Sequence, residues 1–241
     1  MTDPCQVCGD TSATTLVEQP PHNWVQCRVC AFAWLSPMPS MYEAADLQDA
    51  DVGQSYIDGY LKKLDSKMRR SRGRAKVLKR HMPGRRLLDI GSNIGCLVAA
   101  GAELGLDSTG VEINPVLAAE AQRRYPAGRF LTGAFEEVDL EPGSFDGVYC
   151  SEVIEHVVDT NRFLEALTGV MAPGAALYLT TPALREYTKG NQTSWRDFGA
   201  PDHKLYFSPD NMRRILDKHG FGKVRLRFNF GRGLKLIAHR A

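Results

Sequence analysis

The apolar residues change their period along the chain. From about residue 55 to 82, Tyr56, Tyr60, Leu64, Met68, Ala75, Leu78 and Met82 recur mostly at three- or four-residue steps, the spacing that gathers side chains on one helical face. One or two amphipathic helices are expected there, ended by Pro83-Gly84. Beyond Gly84 the apolar residues form short runs at 86–90, 107–112, 129–131, 146–150 and 176–180, separated by stretches long enough for helices. That alternation predicts a parallel α/β sheet. Helices are expected at 96–104, at 116–125 behind the cap Asn114-Pro115, and near 160–171, the last stopping before Pro173-Gly174. The end of the chain differs: 224–230 and 234–238 flank Gly231-Arg232-Gly233 and predict a β-hairpin. Residues 1 to about 40 contain only short segments and leave through Ser36-Pro37-Met38-Pro39. The chain therefore divides into 1–40, a helical linker or lid region at 41–83, and a main domain at 84–241.

A length of 241 residues suits one α/β domain with a small appendage. No apolar run reaches the ~18 residues of a membrane span, and the opening MTDPCQVCGD is not a signal peptide. A cytoplasmic protein without a membrane partner is expected. The net charge of +2 hides a local excess, because residues 62–86 hold twelve Lys or Arg against the single acid Asp65. The run reads either as a solvated helix face or as a surface for anionic partners.

Four of the six cysteines, Cys5, Cys8, Cys27 and Cys30, form two CxxC pairs separated by 18 residues. That spacing fits one structural Zn2+ held by four thiolates in a zinc-ribbon-like module. With all four ligands from protein, no position stays open for a catalytic water. Zinc is expected to stabilise a module too small for its own core.

The segment Leu87-Leu88-Asp89-Ile90-Gly91-Ser92-Asn93-Ile94-Gly95 is an apolar strand running into a glycine-containing loop and then a helix. Glycines admit a ligand close to the backbone, and the helix N-terminus offers free N–H groups. Glu112 ends the next strand, 23 positions after Asp89, where a carboxylate can accept from ribose hydroxyls. The alternative is that Glu112 only caps the helix behind Asn114.

From Leu87 to about Pro182 these motifs resemble the class I S-adenosylmethionine-dependent methyltransferases. The resemblance implies a Rossmann-like, seven-stranded, mostly parallel α/β sheet with a C-terminal antiparallel hairpin. It implies that Asp89, Gly91, Ser92, Asn93 and Gly95 surround the methionine and sulfonium portion of S-adenosyl-L-methionine, and that Glu112 and Ile113 hold ribose and adenine. Gly133, Ala134 and Phe135 would line the adenine, with Ser151 and Glu152 beneath the cofactor.

Two histidines fall on the acceptor side. His156 follows the fourth strand in Ser151-Glu152-Val153-Ile154-Glu155-His156 and reads either as a packing residue at a helix start or as a base. His203 lies in Asp202-His203-Lys204-Leu205-Tyr206-Phe207-Ser208, a segment similar to the Glu-His-x-x-Tyr-Phe-Ser of zinc-containing sugar C-methyltransferases. That likeness makes His203 the first candidate for proton removal, with Asp202 orienting it and Tyr206 meeting substrate; the alternative is a lid that these residues merely shape. The expected acceptor is a small molecule, such as a nucleotide-linked sugar or natural-product intermediate whose negative charge meets the basic segment. Ribosomal RNA methylation guided by the zinc module is the second reading, opposed by the near-neutral charge. A non-catalytic scaffold that binds cofactor is the third.

Overall fold

The computed structural model describes residues 3–18, 20–40, 43, 54–184, 202–227 and 233–241. The expected amphipathic stretch forms two helices, α1 (Gln54–Leu61) and α2 (Leu64–Lys79), the second within the basic segment. In α2 the buried positions are Met68, Ser71, Ala75 and Leu78, one stripe at helical spacing, while the basic residues take the remaining faces. There follow β4 (Arg86–Ile90), α3 (Cys96–Glu103), β5 (Asp107–Glu112), α4 (Pro115–Arg124), β6 (Arg129–Thr132), β7 (Phe145–Ser151), α5 (Thr160–Val170) and β8 (Met171–Thr181). After β9 (Leu205–Tyr206) and α6 (Pro209–Lys218), the hairpin β10 (Phe221–Leu226) and β11 (Leu234–Arg240) closes the chain. The main sheet has the order β10-β11-β8-β7-β4-β5-β6. Strands β4 to β8 pair in parallel, and the hairpin joins β8 antiparallel.

Side-chain parity assigns the two faces. Leu88, Ile90, Val148, Cys150, Leu177 and Leu179 pack into the core that contains Phe163 and Leu167 of α5 and Ile215 and Leu216 of α6. Their neighbours Leu87, Tyr149, Ala176 and Tyr178 pack with Ala75 and Leu78 of α2 and Leu97 and Ala100 of α3. Strands buried on both faces in this way read as continuous apolar runs, which is why they were legible.

Two boundaries differ from expectation. Helix α5 stops at Val170, and β8 starts at Met171 rather than at 176. Pro173 and Gly174 lie where the register against β7 shifts, and Gly174 has φ +75°. An irregularity of this kind absorbs residues that a regular strand rejects. The hairpin also starts early: Gly220, at φ +77°, turns the chain out of α6 so that Phe221 enters the sheet and is buried. The expected turn residues Gly231 and Arg232, with 228–230, lie outside the described residues.

The N-terminal strands β1 (Ala13–Val17), β2 (Asn23–Cys27) and β3 (Ala33–Ser36) form an antiparallel sheet whose fourth strand is β9. Ala33 pairs with Tyr206 and Trp34 with Leu205. Rings continue the junction, with Trp24 and Tyr206 centroids 5.1 Å apart and Phe32 and Phe207 centroids 5.0 Å apart. Cys5, Val25, Cys27, Phe32 and Trp34 belong to the same buried cluster as the main-sheet core.

Candidate functional site

A cavity of about 410 Å3 opens at the C-terminal ends of β4, β5 and β6, where ligands of open α/β sheets sit. Its floor is the turn after β4. Gly91 has φ +72°, and a Cβ there would come within 2.5 Å of Val153 Cγ2. Gly95, at φ +81°, precedes α3, and its Cβ would meet Phe130 at 2.6 Å. The backbone N–H groups of Gly91 and Ser92 both donate to the Val111 carbonyl, at 2.9 and 3.0 Å, which locks the turn to β5.

Glu112 leaves β5 buried at 7% exposure with its carboxylate fixed by backbone donors. Asn93 N–H donates to Oε2 at 2.7 Å and Asn114 N–H to Oε1 at 3.0 Å. Burial pushes Glu112 above the ordinary carboxylate value, against these N–H donors. A carboxylate accepts about four hydrogen bonds, so acceptor capacity remains on the cavity side. Asn114 caps α4 with its side chain, which accepts from Val116 and Leu117 N–H, while Glu112 holds the N–H of Asn114.

Of the expected cofactor residues, Gly91, Asn93, Glu112, Ile113, Gly133, Ala134, Phe135 and Glu152 line the cavity. Asp89, Ser92, Gly95 and Ser151 do not. Asp89 is buried beneath the turn, where desolvation and then the neighbouring Glu112 charge raise its carboxyl well above the usual range. Ser92 Oγ is buried without a hydrogen-bond partner. Ser151 Oγ meets Thr180 Oγ1 at 2.7 Å, and that hydroxyl donates to Glu152 Oε1 at 2.8 Å. Ser151 thus supports Glu152 from behind.

On the opposite wall, His156 lines the cavity and His203, Asp202 and Tyr206 do not. The four are nevertheless assembled in one cluster. His156 Nδ1 lies 2.9 Å from the Asp202 carboxylate and 3.1 Å from the Asp202 carbonyl. His203 Nδ1 is 2.9 Å from Tyr206 Oη, and the two imidazoles meet edge to face at 4.8 Å. Glu155, fully buried, accepts from Thr181 Oγ1 at 2.9 Å through Oε2. Burial works against protonating His156, but Asp202 and Glu155 outweigh it and raise its pKa. His203 is pushed down to about 4 by burial and then by His156. Burial likewise raises Glu155 to about 7 and lowers the fully buried Lys204 to about 8.

The four N-terminal cysteines converge, their Sγ atoms all within 4.8 Å of one another. Cys5 and Cys30 sulfurs lie 3.5 Å apart, as do those of Cys8 and Cys27. Four thiols at such spacings suit a tetrahedral ion with ~2.3 Å bonds to sulfur. Burial raises the Cys5 thiol and pushes Cys30 up to about 11, and a bound cation would favour their thiolate forms.

Sequence reasoning missed Glu136, next to the expected 133–135, and the far wall, where Val157, Val158, Asp159, Arg162 and Phe163 also line the cavity. A signal existed in Asp159, whose side chain accepts from Asn161 and Arg162 N–H and caps α5. The clamp on that wall had none. Gln6, inside the first CxxC, donates to the Val158 carbonyl at 2.8 Å, accepts from Thr160 N–H at 2.7 Å and receives Asn161 Nδ2 on its own carbonyl at 3.2 Å.

Residues 60–226 match the model of a family described as a methyltransferase domain. A ubiquinone biosynthesis O-methyltransferase of Xanthomonas campestris pv. campestris is 34% identical over 105 residues, which are 42% of this chain and 44% of that protein. The counterpart in Idiomarina loihiensis is 28% identical over 146 residues, 56% of this chain and 60% of that protein. The chain thus spans less than two thirds of the length of these relatives. Among solved structures, a SAM-dependent methyltransferase from Archaeoglobus fulgidus superposes with TM-score 0.60 at 18% identity, covering 78% of this chain and all of that one. Phosphoethanolamine N-methyltransferase 2 of Haemonchus contortus, in complex with S-adenosyl-L-methionine, gives TM-score 0.56 at 24% identity over 64% of this chain and 38% of that chain.

Proposed function

The chain belongs to the methyltransferase-domain family, and from that premise we propose that it is an S-adenosylmethionine-dependent enzyme that methylates a hydroxyl oxygen of a small molecule. The observation that carries the reading is Glu112, fixed by two backbone donors on the wall of the cavity, opposite His156. A volume of about 410 Å3 is of the size that small-molecule sites have. The methyl-donor end fits the turn at Gly91, because a side chain there would collide with Val153. Exposed Ile113 offers an apolar face to the base, and Glu112 accepts from the ribose.

The sulfonium supplies the methyl group and the leaving group; the protein aligns the acceptor with the sulfur–carbon axis and excludes water. Residues 84–241 supply the catalytic unit, α1 and α2 pack against it, and residues 1–40 supply a zinc module that reaches the acceptor wall through its pairing with β9 and through Gln6. Oxygen as the attacked atom is supported by the O-methyltransferase relatives. The nucleotide-linked sugar, read from the Asp202–Ser208 segment, remains one member of that acceptor class. No helix among the described residues is long and apolar enough to cross a membrane.

The test is calorimetry with S-adenosylhomocysteine, followed by transfer of a labelled methyl group to phenols, nucleotide sugars and RNA. Cofactor binding with transfer to a small hydroxylated acceptor is the expected result. Transfer to RNA alone, or no cofactor binding, overturns the reading.

A further inference from the structure

Glu155, His156 and His203 form a second cluster of ligating groups, separate from the cysteines, which meets the cavity through His156. One ligand atom from each lies within 4.8 Å of the other two. Glu155 is fully buried, and its Oε1 has no hydrogen-bond partner. Such an atom is costly to leave unpaired, because nothing replaces the water lost on burial. His156 Nε2 lies 3.9 Å from it, too far for a hydrogen bond.

Both imidazoles have their other nitrogen engaged. His156 Nδ1 faces two acceptors, the carboxylate and the carbonyl of Asp202, and so must carry the hydrogen. That leaves Nε2 as a lone pair. His203 Nδ1 is held by Tyr206 Oη at 2.9 Å, leaving Nε2. A partner on one ring nitrogen that orients the other is the arrangement of metal-ligating histidines. Two imidazoles and one carboxylate suit a divalent first-row ion with coordination positions left open.

From this geometry we propose that Glu155, His156 and His203 bind a divalent first-row metal ion on the acceptor wall, distinct from the four-cysteine zinc. Ligand atoms around an ion with ~2.1 Å bonds lie ~3–4 Å apart, so rotations of the side chains bring the cluster to bonding distance. His156 lines the cavity, and the open positions therefore face the acceptor. The role rests on the methyltransferase reading. A hydroxyl oxygen bound to the ion loses its proton to water and attacks the methyl carbon. The O–CH3 bond forms as the S–CH3 bond breaks, and the electron pair stays on sulfur in neutral S-adenosylhomocysteine. The predicted acceptor then carries a second oxygen beside the first, as in a catechol or vicinal diol, to chelate the ion.

The experiment uses full-length protein with the cysteine site already loaded with zinc, titrated separately with Mn2+ by electron paramagnetic resonance and with Ni2+ by calorimetry. Oxygen and imidazole ligands suit both probes. One further ion per chain is expected, bound at least about ten-fold more weakly by Glu155→Gln and by His203→Ala. Circular dichroism and S-adenosylhomocysteine affinity confirm that each variant is folded. If neither ion binds beyond the zinc, or both variants bind as the wild type does, the metal site is wrong. If the ion binds but S-adenosylhomocysteine does not, the metal site stands and the methyltransferase reading fails.

Discussion

The two walls of the cavity are built in different ways. The cofactor wall comes from short contiguous pieces at strand ends: the turn after β4, Glu112 and Ile113 after β5, and residues 133–136 after β6. These pieces are held mainly by neighbours within the α/β unit, and Asn93 Nδ2 also donates to Tyr56 Oη of α1 at 2.9 Å. The acceptor wall is assembled from segments far apart in the chain. His156 follows β7, His203 precedes β9, and β9 is a strand of the N-terminal sheet. The backbone of that sheet receives Asn211 Nδ2 on the Cys30 carbonyl at 2.5 Å, and Leu35 N–H donates to the Lys204 carbonyl at 3.0 Å. The cysteine module is therefore a support of the acceptor wall, and the cofactor wall does not depend on it directly.

The most severe break in that comparison is loss of the four-cysteine cluster. Replacing Cys5 and Cys8 by Ser removes two of four ligands from a site whose metal is worth on the order of 10 kcal/mol in small zinc modules. Turnover should fall at least about 100-fold, while S-adenosylhomocysteine affinity stays within about five-fold, since the cofactor wall is local. Equal loss of both activities would show that the two walls do not separate.

The cofactor wall has its own test in Glu112→Ala. Loss of charge-assisted hydrogen bonds worth ~1.5–3 kcal/mol each should weaken S-adenosylhomocysteine binding by about 100-fold. Calorimetry reads that loss, and wild-type affinity would refute the assignment. Extra-ion binding at the histidine cluster should be unchanged, which sharpens the contrast between the walls.

A smaller effect follows from pH. Burial raises Glu112 above its ordinary value of 4.5, so in the cofactor-free protein it takes up its proton above that pH. Its contribution to stability accordingly declines as pH rises from the unfolded value toward the folded one. Ionised Glu112 is the better acceptor for ribose hydroxyls, and cofactor affinity should fall on acidification, starting above pH 4.5, by up to ~10-fold per pH unit. Titrations of S-adenosylhomocysteine from pH 7 to 5 should show that slope in the wild type. A Glu112→Gln variant should lose it; the same slope in both proteins assigns the titration elsewhere.

The mildest probe is Gln6→Ala, which removes the side-chain clamp on Val158 and Thr160. Two hydrogen bonds at ~0.5–1.5 kcal/mol each predict a stability loss of about 1–3 kcal/mol. Acceptor KM should rise a few-fold with kcat less affected, because the loop at 157–159 lines the cavity. Denaturant unfolding and steady-state kinetics check it. An unchanged midpoint would remove Gln6 from the supports of that wall.

What the chain determined by itself is what local patterning encodes. Doubly buried strands announce themselves as apolar runs, the Gly91 turn and the Asn114 cap need particular residues at particular backbone angles, and two CxxC pairs carry ligand spacing in the sequence. The strand-end side of the cavity was legible for that reason, with Glu112 among its lining residues. The pairing of β3 with β9, the Gln6 clamp, and the meeting of Glu155, His156 and His203 were decided only by the tertiary structure. Hydrogen bonds between segments more than 150 residues apart, as from Gln6 to Val158, leave no periodic trace in sequence. Whether a histidine faces a cavity or stands behind another imidazole depends on packing that no local rule specifies. His203 looked like the residue nearest the acceptor because its segment carried the family likeness; the fold set it against Tyr206 and put His156 on the wall.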